Sequence, residues 1–474
     1  LKPFGLKSSC VLTASACARG VRTGSHDAMG GNQSVQQEQV ARAGLTEGQY
    51  SSLRDALEVT GETDSHETFI ELSAFLACFP LHVRPLVQPL FFKLGGVHVG
   101  DAAVPWPRLV AGVSKLAIGS GASWQELVEV WLDGGGADEG LCIELASSLC
   151  WWCAHPGQSP QTQDAEAGVG SLVAALLGAP ALAEPPKRGT DSGAARTVAA
   201  LDDAAPMLPR VVGPYFAARL LGSPAPPDMV DLESKVLDAG LSLLLRSANA
   251  RLWESEPWIP LYRDWRDGRS FNGLLKGTLD YSGPAILVVR TPEGHVCGAV
   301  SDCWSEGYGK FNGNSECFIF AAKPAMRIFR AGGHSSNYVY LNSKVKQAPR
   351  GIGFGGQVGC CRLWLDADFE EGHMLQHDAT YASGSVLPNP KDAFQISFRF
   401  SNLEVWGCGG ASAEVQQAYL RERRANAQAQ GRKVDRSMLV ENSFDREMLL
   451  GNTFAAAAQS SVDVDVLKKE NAEG

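Results

Sequence analysis

The sequence lacks three features that would each define a class of protein. It has no apolar run of about 18 residues, the length that a membrane-spanning helix needs, and the best candidate, residues 172–183, contains Gly178 and Pro180. It has no excess of positive charge, because the net charge is −10 at pH 7. Nucleic-acid phosphates require clustered Lys and Arg, so this balance argues against a nucleic-acid partner.

The third missing feature is a high density of cysteine residues. Twelve cysteines are scattered along 474 residues, and only Cys360 and Cys361 are adjacent. Secreted disulfide scaffolds are short and rich in cysteine, so this distribution predicts reduced thiols in a cytosolic setting. The hydrophobic share of 45% and the charged share of 20% are ordinary for a globular protein. The length suits two domains joined by linkers.

Catalytic signatures are also missing. The Gly-x-Ser-x-Gly motif of a nucleophilic serine does not occur. A Cys–His pair remains open, and its candidates are Cys317, Cys360 and Cys361 with His334, His373 and His377. Acidic residues beside predicted strands could transfer protons, and these are Glu316, Asp366, Asp368 and Glu404. Because no spacing selects a pair, the sequence predicts a regulatory or binding protein with no catalytic residue.

Two motifs resemble ligand-binding sites, one for phosphate and one for zinc. Gly351–Gly356 is glycine-rich but lacks the Lys-Ser/Thr ending of a P-loop, so we predict a tight turn between strands. Cys150, Cys153 and His155, with Cys142 upstream, have one zinc knuckle, whereas structural zinc sites usually pair two. Their apolar surroundings favour a buried helix. We therefore predict neither a metal nor a cofactor.

Residues 37–155 have helical periodicity and predict an all-α domain. Thr46 and Gln49 have the spacing of a capping box. Two windows, Thr60–Glu71 and Asp133–Glu144, have part of the calcium-loop pattern of an EF-hand but lack oxygen-bearing side chains at positions that require them. The expected domain is EF-hand-like and degenerate, and a calcium-sensing adaptor is the less favoured alternative.

The rest of the chain divides by composition. Residues 156–208 are rich in Ala, Gly and Pro and predict a disordered linker, and residues 209–248 predict connecting helices. Residues 249–410 contain many short runs with a period of two, separated by turn signals, which predicts an antiparallel β-sandwich. The overall expectation is an α+β fold.

The carboxy-terminal part changes character again. Residues 411–456 predict a helical segment, and residues 457–474 a disordered tail. Within the segment, an apolar stripe predicts an amphipathic helix that either packs back on the preceding domain or docks in a partner's groove. We call these residues the apolar stripe: Met438, Leu439, Phe444, Met448 and Leu449.

Residues 1–36 predict a disordered leader with a candidate start at Met29. Initiation there would place Gly30 in the myristoylation pattern Met-Gly, three residues, then Ser34. A single myristoyl chain anchors a protein only marginally, so the predicted membrane association is reversible.

Five ordered motifs in the later half are specific when taken together. They are Tyr281–Arg290, Ser315–Phe320, Gly351–Gly356, Leu363–Asp368 and Leu403–Gly407. The set resembles the TLDc domain, a two-sheet antiparallel β-sandwich with flanking helices that its family uses mainly for binding and regulation. Cys360-Cys361-Arg362 departs from the aromatic residues and Gly that the family usually has before Leu-Trp.

One branch of this family is especially similar. Tyr338–Asn342 followed by Gln347–Gln357 resembles the mTOR-associated, lysosome-associated branch related to the nematode EAK-seven protein. Members of that branch begin with a Met-Gly-Asn-type myristoylation sequence, carry an all-α amino-terminal domain and end in a helix after the sandwich.

The resemblance implies a function as well as a fold. It implies a non-enzymatic peripheral membrane regulator, present in the cytoplasm and on lysosomal or endosomal membranes. The implied partners are the vacuolar proton-pumping ATPase (V-ATPase), which the apolar stripe would contact, and the TOR signalling pathway. The alternative is a redox-protective protein acting through a reactive cysteine, because other TLDc branches are associated with oxidation resistance.

Overall fold

The structure is a computed structural model. It describes residues 21–22, 44–59, 68–101, 103–119, 121–134, 137–182, 193–228, 232–307, 309–389 and 393–432. The predicted α+β fold is confirmed: helices come first, antiparallel sheets follow, and a long helix comes after them. Residues up to Glu414 form one compact unit, and the residues from Val415 form a second.

Nine helices occur in the described residues before 229. They are α1 (Glu47–Ala56), α2 (Leu72–Ala77), α3 (Arg84–Gly95), α4 (Trp106–Ile118), α5 (Trp124–Glu129), α6 (Glu139–Ala154), α7 (Gln163–Leu182), α8 (Gly193–Ala204) and α9 (Val212–Leu220). The predicted capping box opens α1: the Thr46 hydroxyl accepts a hydrogen bond from the Gln49 amide (3.3 Å), and the Thr46 amide donates to Gln49 Oε1 (3.0 Å). A π-helical turn, Val130–Gly134, follows α5.

A small sheet joins the first helices. Strand β2 (Phe69–Glu71) pairs antiparallel with β3 (Ala103–Pro105), and each strand leads directly into a helix. Strand β1 (Val21–Arg22) pairs with β2, so part of the leader predicted to be disordered contributes a strand. The calcium-loop window at 133–144 runs instead from the π-helical turn into α6, where Asp138 caps the helix by accepting from the Leu141 amide at 2.8 Å.

The predicted disordered linker at 156–208 is wrong over most of its length, because α7 and α8 lie within it. The small residues that resembled linker composition allow close packing. A Cβ on Gly168 would lie 2.3 Å from the Trp151 ring, and one on Gly178 would lie 2.5 Å from Ala325 Cβ. Although α7 has 20 residues, no helix in the described part of the chain is long and apolar enough to span a bilayer.

The later half contains two six-stranded antiparallel sheets. The first, which we call the helix-side sheet, has the order β4 (Ile259–Arg263), β15 (Asn402–Gly407), β5 (Ala285–Arg290), β6 (Val296–Ser301), β8 (Phe318–Lys323) and β9 (Arg327–Arg330). The second, the outer sheet, has the order β14 (Gln395–Arg399), β13 (Glu371–Leu375), β12 (Leu363–Asp366), β11 (Gly351–Phe354), β10 (Val339–Asn342) and β7 (Phe311–Asn312). Four short helices border them: α10 (Ala239–Arg246), α11 (Ala250–Trp253), α12 (Asp264–Asp267) and α13 (Phe271–Thr278).

The helix-side sheet is buried on both faces. In β5, Leu287 and Val289 pack in the core between the two sheets, while Ile286 and Val288 pack in the core that also contains the amino-terminal helices. The backbone takes part in this contact, because the Met326 amide donates to the Ala175 carbonyl of α7 at 3.1 Å. The amino-terminal helices and the sandwich therefore share a core.

The turn predicted at Gly351–Gly356 is wrong for its first four residues, which form β11 in the middle of the outer sheet. The ring of Trp364 occupies the side-chain space over this strand, because a Cβ on Gly353 would lie 2.8 Å from Trp364 Cε3. The turn begins only at Gly355 and Gly356, whose φ angles are +68° and +74°.

Helix α14 (Gly410–Arg432) follows the sandwich, where the sequence predicts a helical segment. The apolar stripe and the tail at 457–474 lie outside the described residues, as does Gly30. Residues 60–67 of the first calcium-loop window also lie outside them.

Candidate functional site

The Glu404 side chain on β15 is one of the most heavily bonded acidic groups of the sandwich. It is completely buried, and its carboxylate accepts four hydrogen bonds. The donors are Ser234 Oγ (2.5 Å), the Lys235 amide (2.8 Å), Trp265 Nε1 (3.0 Å) and Trp406 Nε1 (3.0 Å). Each carboxylate oxygen therefore has two donors, which is how a protein accommodates a buried charge.

Glu404 holds residues 232–237, which we call the strap, against the helix-side sheet. Arg263 adds to this anchor, since its Nη1 donates to the Glu233 carbonyl (3.1 Å) and lies 3.0 Å from the Glu233 carboxylate. Arg290 Nη2 donates to the Val236 carbonyl at 3.1 Å. Of the connecting helices predicted over residues 209–248, α10 starts only at Ala239, where Asp238 caps it, and the preceding strap turns at Ser234, whose Oγ accepts from the Val236 and Leu237 amides at 3.0 and 2.7 Å.

These contacts assign Glu404 a structural role. The other acidic candidates lie apart from it: Asp366 is on the outer sheet and accepts from Trp364 Nε1 at 2.5 Å, and Glu316 and Asp368 are exposed in loops. The structure does not bring the four carboxylates together on one sheet.

The candidate nucleophilic cysteines have different environments. Burial raises the pKa of the Cys317 thiol and raises that of Cys361 to about 12. Cys317 Sγ lies 3.7 Å from Ser301 Oγ, and Cys361 Sγ donates to the Gln357 carbonyl at 3.5 Å. Both thiols are therefore protonated near neutral pH, the opposite of what a thiolate nucleophile needs. Cys360 is exposed on the adjacent turn.

The histidines do not activate these cysteines. His373 stacks on Trp364 with ring centroids 6.1 Å apart, and burial lowers its pKa. His334 and His377 are exposed. Across the ranges that the structure describes, no hydrogen bond joins any of these three histidines to Cys317, Cys360 or Cys361.

The cluster at 142–155 is packed as a helix core. Cys142 Sγ donates to the Val128 carbonyl (3.7 Å), and His155 stacks on Trp151 with its Nδ1 3.0 Å from the Trp151 carbonyl oxygen. Burial raises the pKa of Cys142 to about 12 and raises that of Cys153 further above its ordinary value. Among the described residues, no group of three or more potential ligands could hold a metal ion.

Sequence reasoning missed a buried ion pair at the end of the sandwich. Arg362 is fully buried, and its Nε lies 3.9 Å from Asp378 Oδ1. Arg362 Nη2 donates to the carbonyls of Ala382 and Gly384, at 3.1 and 2.5 Å. Burial lowers the pKa of Arg362 to about 10, and the charge of Asp378 opposes that shift. The pair ties the loop at 376–389 to β12, and the only sequence signal was an arginine directly before a buried strand.

The outer sheet presents an open edge. Within the described residues, β14 is hydrogen-bonded on one side, to β13, and its other side carries no paired strand. Gln395, Ser397 and Arg399 are exposed along it, and Phe394 at its start is 66% exposed. An edge strand beside an exposed aromatic residue has the geometry that proteins use to add a partner's strand.

Comparison with known proteins assigns this region. Residues 230–409 match the TLDc domain family, so the two sheets, the strap and the short helices α10 to α13 form a TLDc domain. The match begins at residue 230, earlier than the boundary at 249 predicted from the sequence, and thus includes the strap that Glu404 holds.

Similarity to individual proteins gives a more specific comparison than the family model does. The chain is 36% identical to the mTOR-associated protein MEAK7 of Danio rerio over 163 residues, which are 34% of this chain and 35% of the relative. It is 31% identical to human MEAK7 over 179 residues, 38% of each chain. It is 27% identical to oxidation resistance protein 1 of Xenopus laevis over 157 residues, 32% of this chain and 16% of the relative.

The chain is therefore similar to the MEAK7 proteins over 163 to 179 residues. The similarity spans little more than a third of the length of these relatives, 35% and 38%. The predicted resemblance to this branch of the TLDc family is confirmed at that level.

Proposed function

We propose that the protein is a non-enzymatic regulator in TOR signalling that binds the V-ATPase on lysosome-like membranes. The similarity of the chain, over 163 and 179 residues, to proteins named for their association with mTOR is the observation that carries this proposal. The geometry of the TLDc domain supports a binding role, because the Glu404 carboxylate is a structural acceptor and the outer sheet has an open edge.

Two regions contact partners under this proposal. The apolar stripe docks in a groove of the V-ATPase, the partner that the family resemblance implies, through its apolar face. A myristoyl group on Gly30 supplies the membrane contact. Since one myristoyl chain binds membranes with an association constant of only about 10⁴ M⁻¹, stable localisation needs the protein partner as well. Binding is therefore reversible and depends on both contacts.

The experiment is a pull-down of the V-ATPase from detergent-solubilised lysosomes by the full chain. We expect the double substitution Phe444→Glu and Leu449→Glu to reduce capture at least tenfold, because two charges would be forced into an apolar interface. The matched control is Ser437→Glu with Asn442→Glu, which adds the same charge to polar positions of the same segment.

Equal capture by both double variants and the wild type would reject the docking role of the stripe. Loss of capture in both would show that charge alone disrupts binding, and would also reject the specific role of the two apolar residues. Co-precipitation of the TOR kinase from cell extract, measured in parallel, tests the signalling link independently of the pump.

A redox-protective function is the second candidate, favoured by the similarity to oxidation resistance protein 1 and by the exposure of Cys360. The raised pKa values of Cys317 and Cys361 leave Cys360 as the accessible thiol of that group. Isotope-coded alkylation at pH 7.5 distinguishes the two functions. Rapid peroxide-sensitive labelling of Cys360 would support the redox function, and labelling no faster than that of a free cysteine peptide would remove it.

A further inference from the structure

A groove lies between α3, α4 and α5, outside the TLDc domain. Its volume is about 370 Å³. Apolar side chains make up its floor, and these are Leu90, Leu94, Leu116, Leu127 and Val130. Ala111 lies exposed at its edge. Concave apolar sites of this size are typical of ligand-binding pockets.

Glycines account for the shape of the groove. Helix α3 ends at Gly96, which has the left-handed conformation (φ +59°) of a helix C-terminus. Gly112 allows α4 to approach α3 closely, because a Cβ there would lie 2.2 Å from the Leu94 carbonyl oxygen. Near the helix ends, Gly96 and Gly121 line the groove without side chains, and a Cβ on either would meet nothing closer than 3.8 Å.

Two of the three cations that line the groove form ion pairs. Lys93 Nζ lies 2.9 Å from the Glu129 carboxylate, and Lys115 Nζ lies 3.1 Å from that of Glu126. The third, Arg108, is exposed and donates to the Gly96 carbonyl at 3.4 Å, whereas the floor itself carries no charge. The chemistry of the floor therefore favours an uncharged hydrocarbon.

The size of the groove distinguishes an acyl chain from a helix. A single turn of helix, about 10 Å across and 5.4 Å long, already occupies about 420 Å³, more than the groove holds. A cavity of about 150 Å³ accepts the six carbons of benzene, and on that scale 370 Å³ accepts a chain of about fourteen carbons. Myristate has fourteen carbons.

We propose that this groove binds the myristoyl group attached to Gly30 and so hides it from the membrane until a partner or a lipid surface competes for it. The inference rests on the proposed lipidation of Gly30. Gly30 precedes the first described residue of the helical domain, Gly44, by fourteen residues, and an extended tether of that length spans up to about 46 Å. The longest helix of the domain, α7, measures about 30 Å, so the acyl chain can reach the groove.

The test uses the chain translated from Met29, which lacks the edge strand β1, and co-expresses it with an N-myristoyltransferase. Cells are supplied with a myristate analogue that carries a photoreactive diazirine near its methyl end, and intact mass records whether Gly30 is acylated. After irradiation, peptide mass spectrometry locates the crosslink. We expect crosslinks within residues 90–130. A Gly30→Ala chain, which cannot be acylated, provides the background.

Two substitutions on α4 complete the experiment. Ala111→Trp fills the groove from its edge, whereas Ile118→Trp adds the same ring to an exposed position of the same helix outside the groove. Filling the groove shifts the acyl chain to its free state, so we expect acylated Ala111→Trp to bind phosphatidylcholine vesicles about tenfold more tightly. Ile118→Trp should match the wild type.

The outcomes separate the inference from the function on which it rests. Acylated protein with crosslinks outside residues 90–130 overturns the groove assignment and leaves the lipid anchor intact. If the intact mass shows no acyl group on Gly30, both the groove assignment and the proposed lipid anchor are overturned. The crosslink map of the wild-type chain decides the matter even if the Ala111→Trp chain fails to fold, which its melting temperature would reveal.

Discussion

Replacing Glu404 gives the sharpest prediction about the TLDc domain. In Glu404→Ala, three donors lose their acceptor: the indole N–H of the buried Trp406, and the Trp265 indole N–H and Lys235 amide in part-buried positions. An unsatisfied buried donor costs about 1–3 kcal/mol. With three donors and some relief from entering water, we expect the free energy of unfolding to fall by about 4 kcal/mol.

Glu404→Gln should be milder. The glutamine keeps one oxygen acceptor and places an amino group at the other position, where Ser234 Oγ can accept from it while Trp406 Nε1 loses its partner. One orphaned donor corresponds to a loss of about 1–2 kcal/mol. The matched control is Glu371→Ala on β13, whose carboxylate forms an exposed pair with Arg399, and it should change the free energy by less than about 1 kcal/mol.

Urea unfolding followed by tryptophan fluorescence measures these differences, and hydrogen exchange over residues 232–237 reports the strap directly. Faster exchange in the strap of Glu404→Ala, with little change in Glu371→Ala, would agree with the anchor. A loss below about 1 kcal/mol in Glu404→Ala, or unchanged exchange in the strap, would refute it.

Three further predictions follow from the packing and the pKa values. Gly353→Ala places a Cβ 2.8 Å from the Trp364 ring, so we expect a loss of about 1–3 kcal/mol in urea unfolding and a shifted Trp emission. Gly178→Val forces α7 away from the helix-side sheet and should lower the melting temperature, whereas a change below 1 °C would contradict the shared core. The pKa values of Cys297 and Cys361 are raised to about 12 by burial. Their neutral thiols therefore favour the folded state fully below about pH 9, and stability should fall as the pH rises from 9 to 12. A flat stability profile over that window would contradict the burial of these thiols.

The sandwich could be predicted because its strands carry local signals. Strands β5 and β12 lie within the motifs Tyr281–Arg290 and Leu363–Asp368 that the sequence singles out. Strand β11 was missed because its glycines have no strand propensity of their own. They are required by the Trp364 ring, which is thirteen residues after Gly351 and eleven after Gly353. Tertiary packing of this kind leaves no trace in a short window.

The linker error has the same origin. Ala- and Gly-rich segments are typical of mobile linkers, yet the same small residues let α7 contact Trp151 and Ala325 at short distances. The role of Glu404 was also hidden, because three of its four donors lie more than 130 positions away in the sequence. The position of Glu404 beside a strand was visible in the sequence, but its partners were not.

The strap bears on how the protein should be dissected in the laboratory. A recombinant piece starting at residue 249, where the composition changes, would lack Ser234 and Lys235 and leave the Glu404 carboxylate two donors short. It would also expose to solvent the apolar side chains of β5 and β8 that pack in the same core as α7. Such a fragment should aggregate or be degraded. Its failure to bind a partner would therefore say nothing about where that partner docks.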